Sequence, residues 1–266
     1  MVDDPHSDIA PNPIDVLTDG RDELARRWAL ANEARSDTSR GPRGALLLNE
    51  LTWLADPVKR LFNPIRVARA RNPQTVMLLP GFGAHPLRMR HLENQLRRAG
   101  HTAKDWGMGF NLGATVECFG RAEARLEQIH SRAGRPIVLL GWSLGGVMAR
   151  ELAKHHADKV AKVVTLGSPF SGSPRANNGW RAYQAIAGHR VDEPEFKAEP
   201  WVKPPVETVA LWSPMDGVVH PRSARGKRGE RDRAVAVRCT HMGFVEAPQA
   251  IAAVLKELDM RDGQRL

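Results

Sequence analysis

The chain has 266 residues and a formal net charge of +9, from 39 Lys and Arg against 30 Asp and Glu. With 42% hydrophobic and 26% charged residues it has the make-up of a globular domain, which excludes a collagen-like, fibrous or wholly disordered chain. Two cysteines, Cys118 and Cys239, exclude a disulfide framework and a four-thiolate zinc site.

The first residues, including Asp3, Asp4, His6 and Asp8, are polar and acidic, unlike a secretory signal. No apolar run approaches the roughly 18 residues of a membrane-spanning helix, so a soluble cytoplasmic protein is expected. Residues 1–73 show no strand–helix alternation and read as an N-terminal helical extension. Pro5, Pro11 and Pro13 keep its start irregular. Leu17, Leu24 and Trp28 fall near helical spacing, so residues 17–34 are expected to form an amphipathic helix. After the break at Gly41 to Gly44, Leu46, Leu47, Leu48, Leu51 and Leu54 suggest a second helix. Asp56 and Pro57 are cap and first-turn residues for a third, short one over Val58 to Phe62.

From Thr75 the pattern changes. Apolar runs at Thr75–Leu79, Ile137–Leu140, Val160–Leu166, Val206–Trp212 and Ala234–Cys239, with a weak one at Thr102–Trp106, read as strands. Amphipathic stretches at Pro86–Ala99, Val116 to Gly134, Leu144–Ala157 and Pro248–Leu258 read as helices, with Gly100 and Gly134 as stops. Strands alternating with helices imply an α/β fold with a mostly parallel sheet covered on both faces. Residues 168–205, rich in Gly, Pro, Asn and Trp, interrupt the rhythm as a cap or lid insertion in a domain spanning 74–266. The basic cluster Arg222, Arg225, Lys227, Arg228, Arg231 and Arg233 contains no aromatic residue for base stacking. Nucleic acid is therefore not an expected partner. The cluster is either a solvated basic loop or a contact for an anion or a membrane surface, and the N-terminal segment either packs on the main domain or meets a membrane or a partner.

The chemistry-bearing residues fall at strand ends. Gly141-Trp142-Ser143-Leu144-Gly145-Gly146 lies between an apolar strand and a helix, the context in which G-x-S-x-G pushes a serine out over a sheet. A serine hydroxyl needs a base. His241, after the last strand, is the first choice and His220 the second, while His91, His155 and His156 read as surface residues and His85 as either a surface or a pocket-lining residue. Asp216, in Ser213-Pro214-Met215-Asp216-Gly217 after the strand ending at Trp212, is the expected partner of the base, with Asp105 as competitor. The order Ser143, Asp216, His241 is nucleophile, acid, base. The backbone N–H groups of Leu144 and Phe82 are the expected oxyanion donors. Trp142, Phe170, Met108 and Phe110 either line an acyl pocket or pack in the core. No His, Cys and Asp grouping has metal-ligand spacing, and neither metal nor cofactor is expected.

Residues 75–258 resemble the α/β-hydrolases of the serine esterase and lipase type. The matching motifs are Pro80-Gly81-Phe82, the segment around Ser143, Thr165-Leu166-Gly167-Ser168-Pro169, the Asp216 loop and Thr240-His241-Met242-Gly243. Within that superfamily the chain is similar to a set of bacterial hydrolases sharing Gly109-Phe110-Asn111-Leu112-Gly113 and the Gly167 to Phe170 segment. The resemblance implies an α/β-hydrolase fold and an ester hydrolase working through an acyl-enzyme on a Ser143–His241–Asp216 relay. The substrate would be a small-molecule or lipid ester. An acyltransferase on the same residues and a non-catalytic binding protein on the same scaffold are the alternatives. The family pattern has two further antiparallel strands before the first strand found here, so a sheet shortened on its N-terminal side is expected.

Overall fold

The computed structural model describes residues 13–34, 37–55, 65, 67–195 and 198–260. Six parallel strands form one sheet: β1 (Thr75–Leu79), β2 (Thr102–Asp105), β3 (Ile137–Trp142), β4 (Val160–Leu166), β5 (Glu207–Trp212) and β6 (Arg233–Ala236), in the order β2-β1-β3-β4-β5-β6. Among the described residues no strand precedes Thr75, which agrees with the expected shortened sheet.

The central strands are apolar on both faces because both faces are covered. Val76, Leu78, Val138, Leu140, Val164, Val209 and Leu211 point to one side. There they meet α3 (Arg90–Arg98) through Leu92 and Leu96, and α8 (Pro248–Asp259) through Ile251, Val254 and Leu258. Met77, Leu79, Leu139 and Val163 point to the other. Their partners are α4 (Val116–Ala133), with Phe119, Leu126 and Ile129, and α5 (Leu144–His155), with Met148, Ala149 and Leu152. Left-handed Gly134 (φ 64°) ends α4, as its sequence signal predicts.

Several boundaries differ from expectation for local reasons. The helix expected from Pro86 opens as a 3-10 turn (Pro86–Met89) because His85 Nδ1 accepts from the Leu87 amide at 3.2 Å. The last strand stops at Ala236, and beyond it the Ser213 hydroxyl donates to the Cys239 carbonyl and accepts from the Cys239 amide. The basic cluster is not one loop. It begins with a short helix, α7 (Pro221–Arg225), whose Ser223 and Ala224 are buried. It ends in β6, where Arg233 pairs with Glu207 and Glu257, both at 2.6 Å. Arg222, Arg225, Lys227 and Arg228 remain exposed.

In the N-terminal part, α1 (Pro13–Ala31) is followed by α2 (Gly44–Asn49) and a 3-10 turn (Glu50–Ala55). The expected third helix at Asp56 to Phe62 lies outside the described residues. Residues 168–205 contain a helix that composition hides, α6 (Trp180–Ala187), and α1 packs against it. Arg26 donates to the Gly188 carbonyl and Arg27 to the Ile186 carbonyl, each at 2.6 Å, where the carbonyl end of a helix favours cations. No helix among the described residues is long and apolar enough to cross a membrane.

Candidate active site

Ser143 sits between the buried end of β3 and the first residue of α5, with φ 54° and ψ −124°. It is the only non-glycine residue with positive φ among the described residues. Such a conformation costs about 1–3 kcal/mol and persists only where its surroundings enforce it. Two glycines do so. A Cβ on Gly141 would run into the Gly145 carbonyl, and one on Gly145 into the carbonyls of Leu79 and Pro80. The Ser143 amide donates to the Leu166 carbonyl at 2.8 Å, which ties the turn to β4.

Asp216 is fully buried. Its Oδ1 accepts from the Val218 and Val219 amides, each at 2.8 Å, and this fixes the carboxylate plane. Its Oδ2 accepts from His241 Nδ1 at 2.9 Å. The proton therefore sits on Nδ1, and the Nε2 lone pair is left to serve as a base. Burial pushes the His241 pKa down, but the Asp216 charge, the Asp216 hydrogen bond and the Glu50 charge outweigh it and hold the pKa above the ordinary value. Trp142 packs its ring beside the imidazole, with centroids 5.7 Å apart, and donates Nε1–H to the His241 carbonyl at 3.1 Å. The base loop is also tied to the acid loop through Ser213 and Cys239.

Ser143 and His241 both line a cavity of about 480 Å³, and Asp216 lies behind the imidazole. Phe82 and Leu144 line the same cavity. As the first residue of α5, Leu144 has an amide without an intrahelical acceptor. The Phe82 loop is pinned by Asn111, which is buried: Gly83 N–H donates to its carbonyl at 2.7 Å, and its Nδ2 donates to the Pro80 carbonyl at 2.8 Å. Asn111 is the central residue of the Gly109 to Gly113 segment, so that motif holds the first βα turn in shape. Replacing it with Ala leaves the Pro80 carbonyl buried without its donor and costs about 1–3 kcal/mol of stability. A lowered urea midpoint, with a fall in any activity that depends on the Phe82 amide, is the expected result.

Of the four pocket candidates only Trp142 lines the cavity. Phe170 is buried elsewhere, under the Arg150 guanidinium at 4.2 Å. Phe110 is 61% exposed and stands edge-on to His85, with centroids 5.2 Å apart. Met108 packs against the cluster beneath α4 and α5. The pocket walls come from the 168–205 insertion instead, chiefly Trp180, Tyr183, Val191, Pro200 and Trp201, with Val218 and Val219 of the acid loop. Phe82 packs against Tyr183 with tilted rings, centroids 5.1 Å apart, so the insertion also touches the first βα turn.

The competing residues are engaged otherwise. His220 caps α7. Asp105 accepts from the Gly107 amide and pairs with Arg125. His155 and His156 face Glu123. Cys118 and Cys239 are free thiols. Among the described residues no cluster of His, Cys, Asp and Glu could hold a metal ion.

One buried charge escaped the sequence reading. Glu50, 7% exposed, accepts with Oε1 from the Gly217 amide (2.8 Å) and the His241 amide (2.7 Å), and with Oε2 from the Met242 amide (2.9 Å). It stands 167 and 191 residues from Gly217 and His241 in the chain, and no local pattern marks it.

A family model described as the α/β hydrolase fold matches residues 113–197. Over 60 residues the chain is 42% identical to a pimeloyl-[acyl-carrier protein] methyl ester esterase of Vibrio vulnificus, covering 22% of each chain. The same enzyme of Vibrio cholerae is 43% identical over 65 residues, covering 24% of this chain and 22% of the relative. The matched stretch thus spans about a fifth of these relatives. Among solved structures, Bacillus licheniformis lipase BlEst2 superposes with a TM-score of 0.55 at 16% identity, over 75% of this chain and 54% of that one. Paleococcus ferrophilus monoacylglycerol lipase gives 0.51 at 16% identity, over 73% and 96%. The family model over residues 113–197 and the superposition on these two lipases agree that this chain has the α/β-hydrolase fold.

Proposed function

We propose that the protein is a serine hydrolase that cleaves carboxylic esters through an acyl-enzyme on Ser143. The observation that carries this reading is the opening of a strained serine and an Asp216-paired histidine onto one cavity. The local likeness to methyl ester esterases supports an ester as the bond cleaved.

Ser143 Oγ attacks the ester carbonyl carbon as its proton passes to His241 Nε2. Asp216 holds the Nδ1–H and offsets the imidazolium charge. The carbonyl oxygen, now an anion, takes hydrogen bonds from the Leu144 and Phe82 amides. Collapse breaks the bond to the alkoxide, which leaves with the His241 proton. Water, giving a proton to His241 Nε2, attacks the acyl carbonyl carbon; the acyl–Oγ bond breaks, Ser143 Oγ takes the proton from His241, and the carboxylic acid leaves. Trp142, Trp180, Tyr183 and Val219 make the cavity wall apolar and suit it to an apolar acyl or alcohol group.

A panel of p-nitrophenyl esters of increasing acyl length tests the reading. The expected result is hydrolysis with a burst of one p-nitrophenolate per chain, and the carboxylic acid as product. Failure of every ester in the panel, with no reaction towards a fluorophosphonate, contradicts it. A new ester formed in the presence of an alcohol would reveal acyl transfer on the same residues.

A further inference from the structure

Glu50 lies outside the strand–helix domain, yet its carboxylate is spent on three amides of two loops. One belongs to Gly217, the residue after Asp216. The others belong to His241 and Met242. An ionised carboxylate is an acceptor only, and three inward N–H groups match it. The segment carrying Glu50 is seated on the same point: a Cβ on Gly217 would run into the Leu46 carbonyl. Asn178 Nδ2 donates to the Gly217 carbonyl at 2.8 Å and to the Pro42 carbonyl at 3.2 Å. The N-terminal segment, the insertion and the acid loop thus meet at Gly217, with Glu50 at the centre.

We propose that Glu50 is a positioning residue for the base: it clamps the Asp216 and His241 loops together from the N-terminal segment and adds a second negative charge behind the imidazole. The inference rests on the hydrolase reading above. A buried carboxylate facing only backbone donors makes a rigid bridge between loops that are separate in sequence. A small shift of a reacting group is costly: a misplacement of about 1 Å can lower turnover about a hundredfold.

Among the described residues, the charged and titratable groups around His241 are Asp216, Glu50, the Arg88–Glu246 pair beside Met242 and the thiol of Cys239, while His85 and Asp192, the latter paired with Arg175, line the same cavity. Burial raises the Cys239 pKa, so this thiol is neutral, and the uncompensated charges are the two carboxylates. Both raise the His241 pKa. Removing one lowers it, so the acidic limb of the rate profile, which marks loss of the imidazole proton, moves to lower pH.

The test compares wild type, Glu50→Gln and Glu50→Asp. Glu50→Gln keeps the shape but turns an amide N–H towards one of the three donors. The expected result is a fall in kcat of about ten- to a hundredfold with KM unchanged, and an acidic limb at lower pH. Glu50→Asp keeps the charge but is too short to span all three amides. It should lose kcat with the limb in place. An unchanged kcat in Glu50→Gln overturns the proposal, as does a loss of kcat with no movement of the limb. The His241 imidazole is also titrated by NMR with isotope-labelled histidine, which needs no turnover. A lower His241 pKa in Glu50→Gln supports the clamp even if wild type cleaves no ester, and an unchanged one overturns it. Failure of the hydrolase reading, seen as an inert wild type, is thereby distinguished from failure of the clamp.

Discussion

Replacing Ser143 with alanine should lower kcat towards any ester substrate by roughly 10⁴- to 10⁶-fold while the fold is retained. The hydroxyl is the attacking atom in the proposed reaction, and the alanine methyl has no lone pair to attack with. What remains is the modest rate from the two amides and the cavity. Ser143 holds φ 54°, and alanine at such a position is no more strained than serine, so the melting midpoint should stay close to wild type. Active-site titration of wild type and steady-state kinetics of both proteins provide the measurement. A variant with more than about a tenth of wild-type kcat would show that the hydroxyl is not the nucleophile.

Asp216→Asn should cost about 10⁴-fold in kcat, because an amide facing Nδ1 no longer selects the tautomer that leaves Nε2 free to accept. The pH dependence follows from the direction of the His241 shift. Burial lowers that pKa, while the charge and hydrogen bond of Asp216 and the charge of Glu50 raise it beyond the ordinary value. Rate rises with pH as the imidazole loses its proton, so the acidic limb of wild type lies above the usual histidine range. Loss of the Asp216 charge moves the residual limb to lower pH. A profile whose limb stays fixed in Asp216→Asn would show that another group is titrating. The same shift bears on stability. A histidine whose folded pKa is raised contributes stability that is fully present below its unfolded pKa and is lost as pH rises through the folded value.

The strand–helix rhythm was legible because buried parallel strands are continuous apolar runs, as in Ile137–Leu140 and Val160–Leu166, and because Gly100 and Gly134 mark helix ends. Ser143, Asp216 and His241 stood out because each follows such a strand in the chain. The insertion was visible as an interruption, but α6 was not, since its Gly, Pro and Asn surroundings mask an eight-residue helix. Pocket walls were the least legible part. Phe170, Phe110 and Met108 are as apolar as Trp180 or Val191, and which side chains face the cavity depends on loop paths that carry no periodic signal. The Glu50 contact was hidden for a different reason. A carboxylate among leucines reads as the polar face of a short helix, and its partners are backbone amides, which leave no mark on residue identity.

Mapping of a fluorophosphonate adduct by peptide mass spectrometry tests the central claim most directly. The account predicts one adduct per chain, on the peptide that contains Ser143, absent in Ser143→Ala and formed far more slowly in His241→Ala. An adduct on a different residue, or labelling that persists undiminished when Ser143 is alanine, would contradict it.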